Sequence, residues 1–344
     1  MNPARYQELI ARYDSLRVAV VGDFCLDRYL EIDPARQERS IETSLPVHNV
    51  VRVRPQAGAG GTIVNNLSAL GIGSIYPLGF AGTDGEGFEL CAALEHQRGV
   101  RLDHFVRTAE RRTFTYCKPL IVSAGNPPRE LNRLDFKNWT PTPAAVERLL
   151  IDRLRALVPR VDAVIVLDQV DVPETGVVTA GLLAAVGELA SEYPDKLILA
   201  DSRRSLRGFP PVIFKMNAAE LGALAGAQGR LDLGAIKDAA AGLAAKNQRF
   251  VFITLSENGM LGAAPDGSVR HQPALPVRGE IDIVGAGDAV TANLVAVLAA
   301  GGALEEALEV ANAAASVVIH KLGTTGTANP AEIRALLYQN TAAG

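Results

Sequence analysis

The chain is predicted to fold as α/β: a three-layer α/β/α core with a mainly parallel sheet, plus a small β-sheet lid. Three observations predict this. A β-branched run, Val18-Ala-Val-Val21, ends in Gly22-Asp23, as a buried strand does before a turn. From residue 143 onward, strand and helix patterns follow one another regularly. Two extended, part-apolar stretches, 29–54 and 113–135, fall outside that alternation and read as a separate sheet whose edges need cover.

Each element follows from local pattern. Tyr6, Leu9, Ile10 and Tyr13 lie at helical spacing and predict an amphipathic helix over 3–15. A strand follows at 17–23, then exposed strands at 29–33 and 46–54, broken by Pro34 and Pro46. The run Gly58-Ala-Gly-Gly61 leads into Ile63, Val64, Leu67 and Leu70, a loop entering a helix. A strand at 74–80, a helix at 85–98, and extended stretches at 102–106, 113–122 and 130–135 come next. The alternating part has helices at 143–157, 174–192, 218–225 and 233–246. Its strands are 161–167, 196–200, 212–216 and 250–255, and helices near 286–300, 304–321 and 331–339 close the chain.

Composition narrows the function. The chain has 344 residues and 48% hydrophobic residues, enough for a large core. Its 34 basic and 38 acidic residues give a net charge of −4, which argues against a general nucleic-acid or anionic-membrane binder. Three cysteines without short spacing and five scattered histidines give no disulfide framework, no zinc finger and no HExxH. No signal peptide or membrane span is expected, so a cytoplasmic protein is. The P-loop, protein-kinase and dinucleotide fingerprints are all missing.

Four groups of residues carry chemistry. In Asp282-Ile-Val-Gly285-Ala286-Gly287-Asp288, glycines precede an apolar helical pattern. The first N–H groups of such a helix lack intrahelical partners and favour an anion, and a carboxylate beside them suits a base for phosphoryl transfer. An Asp cap in a tight turn accounts for these residues equally well. Asn217 and Glu220 form a capping box by spacing, and Glu220 could also hold a hydrated Mg²⁺. Thr254-Leu-Ser256-Glu-Asn-Gly259 reads first as a hairpin turn and second as a phosphate or ribose contact. Asp23 and Asp27 follow the first strand, where ligands of α/β sheets bind, although turn residues look the same.

In this order, the segments resemble the PfkB/ribokinase family of sugar kinases over nearly the whole chain, and within it the D-glycero-β-D-manno-heptose 7-phosphate kinases. The resemblance implies one ribokinase-like kinase domain over 1–344, with 29–54 and 113–135 as a lid that mediates a homodimer. It implies an ATP-dependent kinase of a sugar or sugar phosphate, with Mg²⁺ as cofactor and a monovalent cation near Asp282. Asp288 falls on the catalytic base, and Gly285, Ala286 and Gly287 on the anion hole. Asn217 and Glu220 fall on the phosphate and magnesium motif. Thr254, Ser256 and Gly259 fall on the nucleotide loop, and Asn312 near the adenine. Asp27, Gly58, Gly60, Gly61, Thr62 and Tyr116 fall on the sugar side.

The sugar side departs from the family. Thr62 stands where an Asn is usual, Ala59 interrupts the paired glycines, and Tyr116 replaces a lysine of the heptose kinases. Fewer donors there imply a less charged acceptor than heptose 7-phosphate, unless Lys118 restores the charge. The alternatives are a kinase of a nucleoside or other small alcohol, or a ligand-binding protein of the same fold without catalysis.

Overall fold

The computed structural model describes residues 1–123, 125, 127–323 and 325–338. The first half contains α1 (Pro3–Ile10), β1 (Arg17–Gly22), β2 (Phe24–Ile32), β3 (Glu38–Arg39), β4 (Pro46–Val47), β5 (Val50–Ala59), α2 (Gly60–Leu70), β6 (Ser74–Leu78), β7 (Phe80–Gly82), α3 (Gly85–Glu95), β8 (Val106–Thr108), β9 (Phe114–Ile121), β10 (Arg129–Glu130) and β11 (Leu134–Phe136). The second contains α4 (Ala144–Leu157), β12 (Ala163–Asp168), α5 (Ala180–Glu192), β13 (Leu197–Ser202), β14 (Ile213–Asn217), α6 (Ala218–Ala225), α7 (Leu233–Asn247), β15 (Val251–Thr254), β16 (Met260–Ala263), β17 (Val269–Gln272), α8 (Ala286–Ala299), α9 (Leu304–Val318) and α10 (Pro330–Tyr338).

Eight strands form the main sheet in the order β17-β16-β15-β14-β13-β12-β1-β6. From β6 to β15 all pairs are parallel, and β16 and β17 add an antiparallel edge. The sheet is buried on both faces, which explains the unbroken apolar reading of its central strands. Val18 and Val20 face one core, shared with α2, α8 and α9, while Ala19 and Val21 face the other, shared with α4, α5 and α7. Side chains cap the starts of three helices: Asp84 accepts from Gly87 N, Thr179 from Leu182 N and Asp232 from Ala235 N.

A second sheet has β2 at its centre, with β5 antiparallel on one side and β9 parallel on the other. Strands β10 and β11 both pair with β9. Its strands begin and run further than the expected spans: β2 starts at Phe24, directly after β1, and β5 reaches Ala59. Among the described residues no helix is long and apolar enough to cross a membrane. All three cysteines are free and buried.

Several element boundaries are corrected. The helix expected from 174 starts only at Ala180. Residues 174–179 are held open by tertiary bonds: Thr142 N donates to Glu174 O, Thr142 Oγ1 to Gly176 O and Val177 N to Asp23. The hairpin β16–β17 has no counterpart in the expected elements beyond the turn at Asn258-Gly259. Helix α9 ends three residues before the expected Lys321. Position 339, the expected end of the final helix, lies outside the described residues.

Candidate active site

Two cavities open at the ends of the central strands. The smaller, about 210 Å³, is walled by Asp23, Asp27, Ala59, Thr62, Tyr116, Gly285 and Asp288, with Arg133, Lys137, Asp171 and Arg203 completing it. The larger, about 930 Å³, is walled by Asn217, Thr254, Ser256, Asn258 and the first turns of α6 and α7. Strand β14 joins them. Its last residue, Asn217, opens on the larger cavity, and the Lys215 ammonium lies against Gly287 of α8, whose next residue, Asp288, opens on the smaller.

Helix α8 begins at Ala286 after Gly285, whose φ of +82° is a left-handed conformation that glycine adopts freely. Ala289 N donates to Gly285 O, the first bond of the helix. Of the three expected anion-hole amides, Ala286 N is not free, because it donates to Ile283 O at 3.2 Å. The N–H groups of Gly287 and Asp288 have no acceptor among the described residues, as the first turn of a helix leaves them. Burial pushes the Asp288 carboxyl up to about 7; the Lys215 ammonium opposes this, and Asp201 and Asp27 add to it.

On the larger cavity, the capping box is complete: Glu220 N donates to Asn217 Oδ1 at 2.9 Å, and Asn217 N donates to Glu220 Oε2 at 2.7 Å. Gly259 does not reach the wall. It turns the chain from β15 into β16 with φ of +86°. Asn312 also stands apart. It is buried on α9 and its amide needs a partner there, which is Pro273 O at 2.8 Å. Asp282 anchors the turn before α8: its N–H donates to Ile319 O and its carboxylate accepts from Val284 N.

On the smaller cavity, register places Asp27 of β2 between Gln56 of β5 and Tyr116 of β9. The Asp27 carboxylate pairs with Lys118 at 2.8 Å, and Lys118 also reaches Tyr29 Oη. Gly58 lies behind Asp27, and a Cβ there would run into the Asp27 carboxylate and Cys25 Sγ. Gly60 and Gly61 open α2 and are buried behind the wall, which Ala59 and Thr62 form.

Sequence reasoning missed the basic side of this cavity. The Arg133 guanidinium stacks on the Tyr116 ring at 4.8 Å and holds Asp135 through two bonds. Lys137 Nζ lies 5.9 Å from the same ring and 2.7 Å from Asp171. Arg204 is tied to Asp168, whereas its neighbour Arg203 has no carboxylate at ion-pair distance among the described residues. These cations flank β11 on both sides and follow the end of β13, so no local spacing announces them.

Asp23 is almost completely buried. It accepts from Gln169 N, Val170 N and Val177 N, which fastens the loop carrying Gln169 and Asp171 to the end of β1. Burial raises its carboxyl to about 6 although the three N–H groups favour the charge. Asn at this position offers one acceptor oxygen and turns its amide against the remaining N–H groups. Asp23→Asn is therefore expected to lower stability by about 2 kcal/mol or more in denaturant unfolding. A loss below about 0.5 kcal/mol would show that the loop holds without it.

Residues 16–332 match the family model of the pfkB family carbohydrate kinases. The bifunctional protein HldE of Azorhizobium caulinodans is 30% identical over 338 residues, covering 97% of this chain and 67% of that protein. The HldE of Citrifermentans bemidjiense is 32% identical, covering 97% and 66%. The chain thus spans about two thirds of the length of the curated relatives it matches. Among solved structures, Arabidopsis thaliana ribokinase complexed with ribose and ATP superposes with a TM-score of 0.65 at 20% identity, over 94% of this chain and 98% of that one. Escherichia coli phosphofructokinase-2 in complex with potassium gives 0.70 at 18% identity, over 95% and 99%. These two likenesses establish a ribokinase-like fold, and the family match over most of its length shows that the chain belongs to the pfkB family of carbohydrate kinases.

Proposed function

We propose that this chain transfers the γ-phosphoryl group of ATP to a hydroxyl of a sugar phosphate, heptose 7-phosphate being the first acceptor to test. The observation that carries the reading is Asp288, a carboxylate at the N-terminus of α8 raised to about 7, which opens on an acceptor-sized cavity, while the end of β14 beside that terminus opens on a nucleotide-sized one. The acceptor hydroxyl lies in the smaller cavity, with Asp27 as an acceptor for its sugar hydroxyls. Asp288 takes the hydroxyl proton as the oxygen bonds to the γ-phosphorus. The bond from that phosphorus to the β,γ-bridging oxygen breaks, and ADP leaves. The N–H groups of Gly287 and Asp288 meet the charge on the transferred group.

Asn217, Thr254 and Ser256 supply polar groups to the nucleotide side. Asn312, which donates to Pro273 O, and Gly259, in its turn, lie outside the wall of that cavity. Glu220 uses Oε2 in the capping box and keeps its other oxygen. No three His, Cys, Asp or Glu side chains among the described residues cluster to cage a metal. One carboxylate oxygen beside nucleotide phosphates fits Mg²⁺, which keeps most of its water. When bound, the ion would offset phosphate charge.

The anionic acceptor is favoured by Arg203, Arg133 and Lys137. The less charged acceptor expected from Tyr116 and Thr62 counted donors on the second sheet and α2 alone. A panel of free sugars and their phosphates, assayed for ADP release, tests the reading. Higher kcat/KM on a free sugar than on its phosphate would overturn it. Arg203→Ala is expected to raise KM for the phosphorylated acceptor roughly 10–100-fold, the scale of a charged hydrogen bond, with kcat little changed.

The same reading makes the second sheet a lid and a dimer contact. Ile41, Leu45, Val51, Val53 and Leu134 are exposed on or beside it. Sedimentation should give a dimer for the wild type and a monomer for Val51→Asp/Val53→Asp, and a monomeric wild type would refute the contact. The three free cysteines suit a reducing cytoplasm.

A further inference from the structure

Lys215 interrupts an otherwise apolar strand, Ile213-Phe-Lys-Met216, and is 7% exposed. Its ammonium lies 2.7 Å from Asp201 Oδ2. The same oxygen accepts from Thr291 Oγ1 at 3.2 Å, which fastens the pair to the second turn of α8. A Cβ built on Gly287 would stand 3.2 Å from Lys215 Nζ. The ammonium therefore sits against the residue whose N–H is free at the helix N-terminus, with no side chain between them.

Three groups face this ammonium: Asp201 from β13, Asp288 from α8 and Glu220 from α6. Burial acts against its charge, but the three carboxylates prevail and raise its pKa above the ordinary lysine value. An ammonium has three donors, and Asp201 takes one. A buried ion pair of this kind is often no more stabilising than a well-packed apolar pair. Stability alone thus gives little reason for charge at this position, whereas an arriving anion does.

We propose that Lys215 is a further residue of the phosphoryl-transfer site, whose ammonium, held by Asp201, donates to a non-bridging oxygen of the transferred group under the N-terminus of α8. This rests on the phosphotransfer reading above and adds a cation fixed by the protein itself. A preorganised donor of that kind is paid for in the folded state and needs no rearrangement when charge shifts toward the γ-phosphoryl.

The test compares wild type, Lys215→Met, and Lys215→Met/Asp201→Asn, in which no carboxylate is left buried without its partner. Sugar-dependent ADP release by the wild type is measured first, and its absence for every acceptor refutes the phosphotransfer reading rather than this inference. With that activity in hand, kcat is expected to fall about 10²–10³-fold in both variants. Acceptor KM and calorimetric ADP affinity should stay within about threefold. The charged groups around Asp288 are Lys215, Asp201 and Asp27, and only Lys215 favours its ionised form. The acid limb of kcat/KM should accordingly move to higher pH in the single variant. A double variant with kcat within about tenfold of wild type overturns the proposal. So does one that loses ADP binding together with kcat, since that marks a structural role.

Discussion

Asp288→Asn should retain the fold and nucleotide affinity while kcat falls by roughly 10²–10⁴-fold, the scale of a positioned base. Asn has nearly the same shape, and its amide cannot take the acceptor proton. The change removes a negative charge from the first turn of α8, a cost of about 0.3–1 kcal/mol that a protein of this size tolerates. The pH profile distinguishes this role from a merely structural one. Burial raises the wild-type carboxyl to about 7, against the pull of Lys215. Its base form therefore appears as pH rises through about 7, and kcat/KM should climb over that range and level above it. The variant should lose that limb. A kcat close to wild type on the best acceptor would remove Asp288 from the role of base.

The parts of the site that were legible in the sequence are those built within one element. Gly285 to Asp288 reads as a helix start because four consecutive residues carry the signal, and α8 begins at Ala286. Asn217 and Glu220 read as a capping box because three positions on a helix bring them back together, and both bonds form. The central strands were legible because a sheet buried on both faces leaves an unbroken apolar run. Where tertiary bonds decide, sequence pattern is silent. Asp23 takes the N–H groups of a loop some 150 residues away in the chain, and that loop displaces the start of α5. Tyr116 read as a lost charge, yet Arg133 and Lys137 lie over its ring from the two ends of β11. Lys215 stood inside the expected strand 212–216 with no role read for it, because Asp201 and Gly287, which give it meaning, lie on β13 and α8. Asn312 carries a family position, and where it is buried on α9 its amide donates to Pro273 O, a partner no local pattern announces.

Glu220→Gln separates two roles that one residue can fill. As a cap, Glu220 accepts from Asn217 N at 2.7 Å, and a Gln carbonyl accepts as well in the same box. As a metal partner it supplies a charge, which Gln lacks. Burial raises the Glu220 carboxyl above its ordinary value and Asp201 adds to this, while the Asn217 N–H and Lys215 oppose it. Substitution should leave the melting temperature and acceptor KM nearly unchanged. The Mg²⁺ concentration for half-maximal rate should rise roughly 10–100-fold, the usual cost of disturbing a metal's polar surroundings, and kcat at limiting Mg²⁺ should fall with it. Glu220→Ala removes both roles, so it should add a loss of about 1 kcal/mol in stability to the same Mg²⁺ effect. Unaltered activity of the Gln variant at low Mg²⁺ would leave Glu220 as a cap alone, and the carboxylate oxygen outside the box without a part in the reaction.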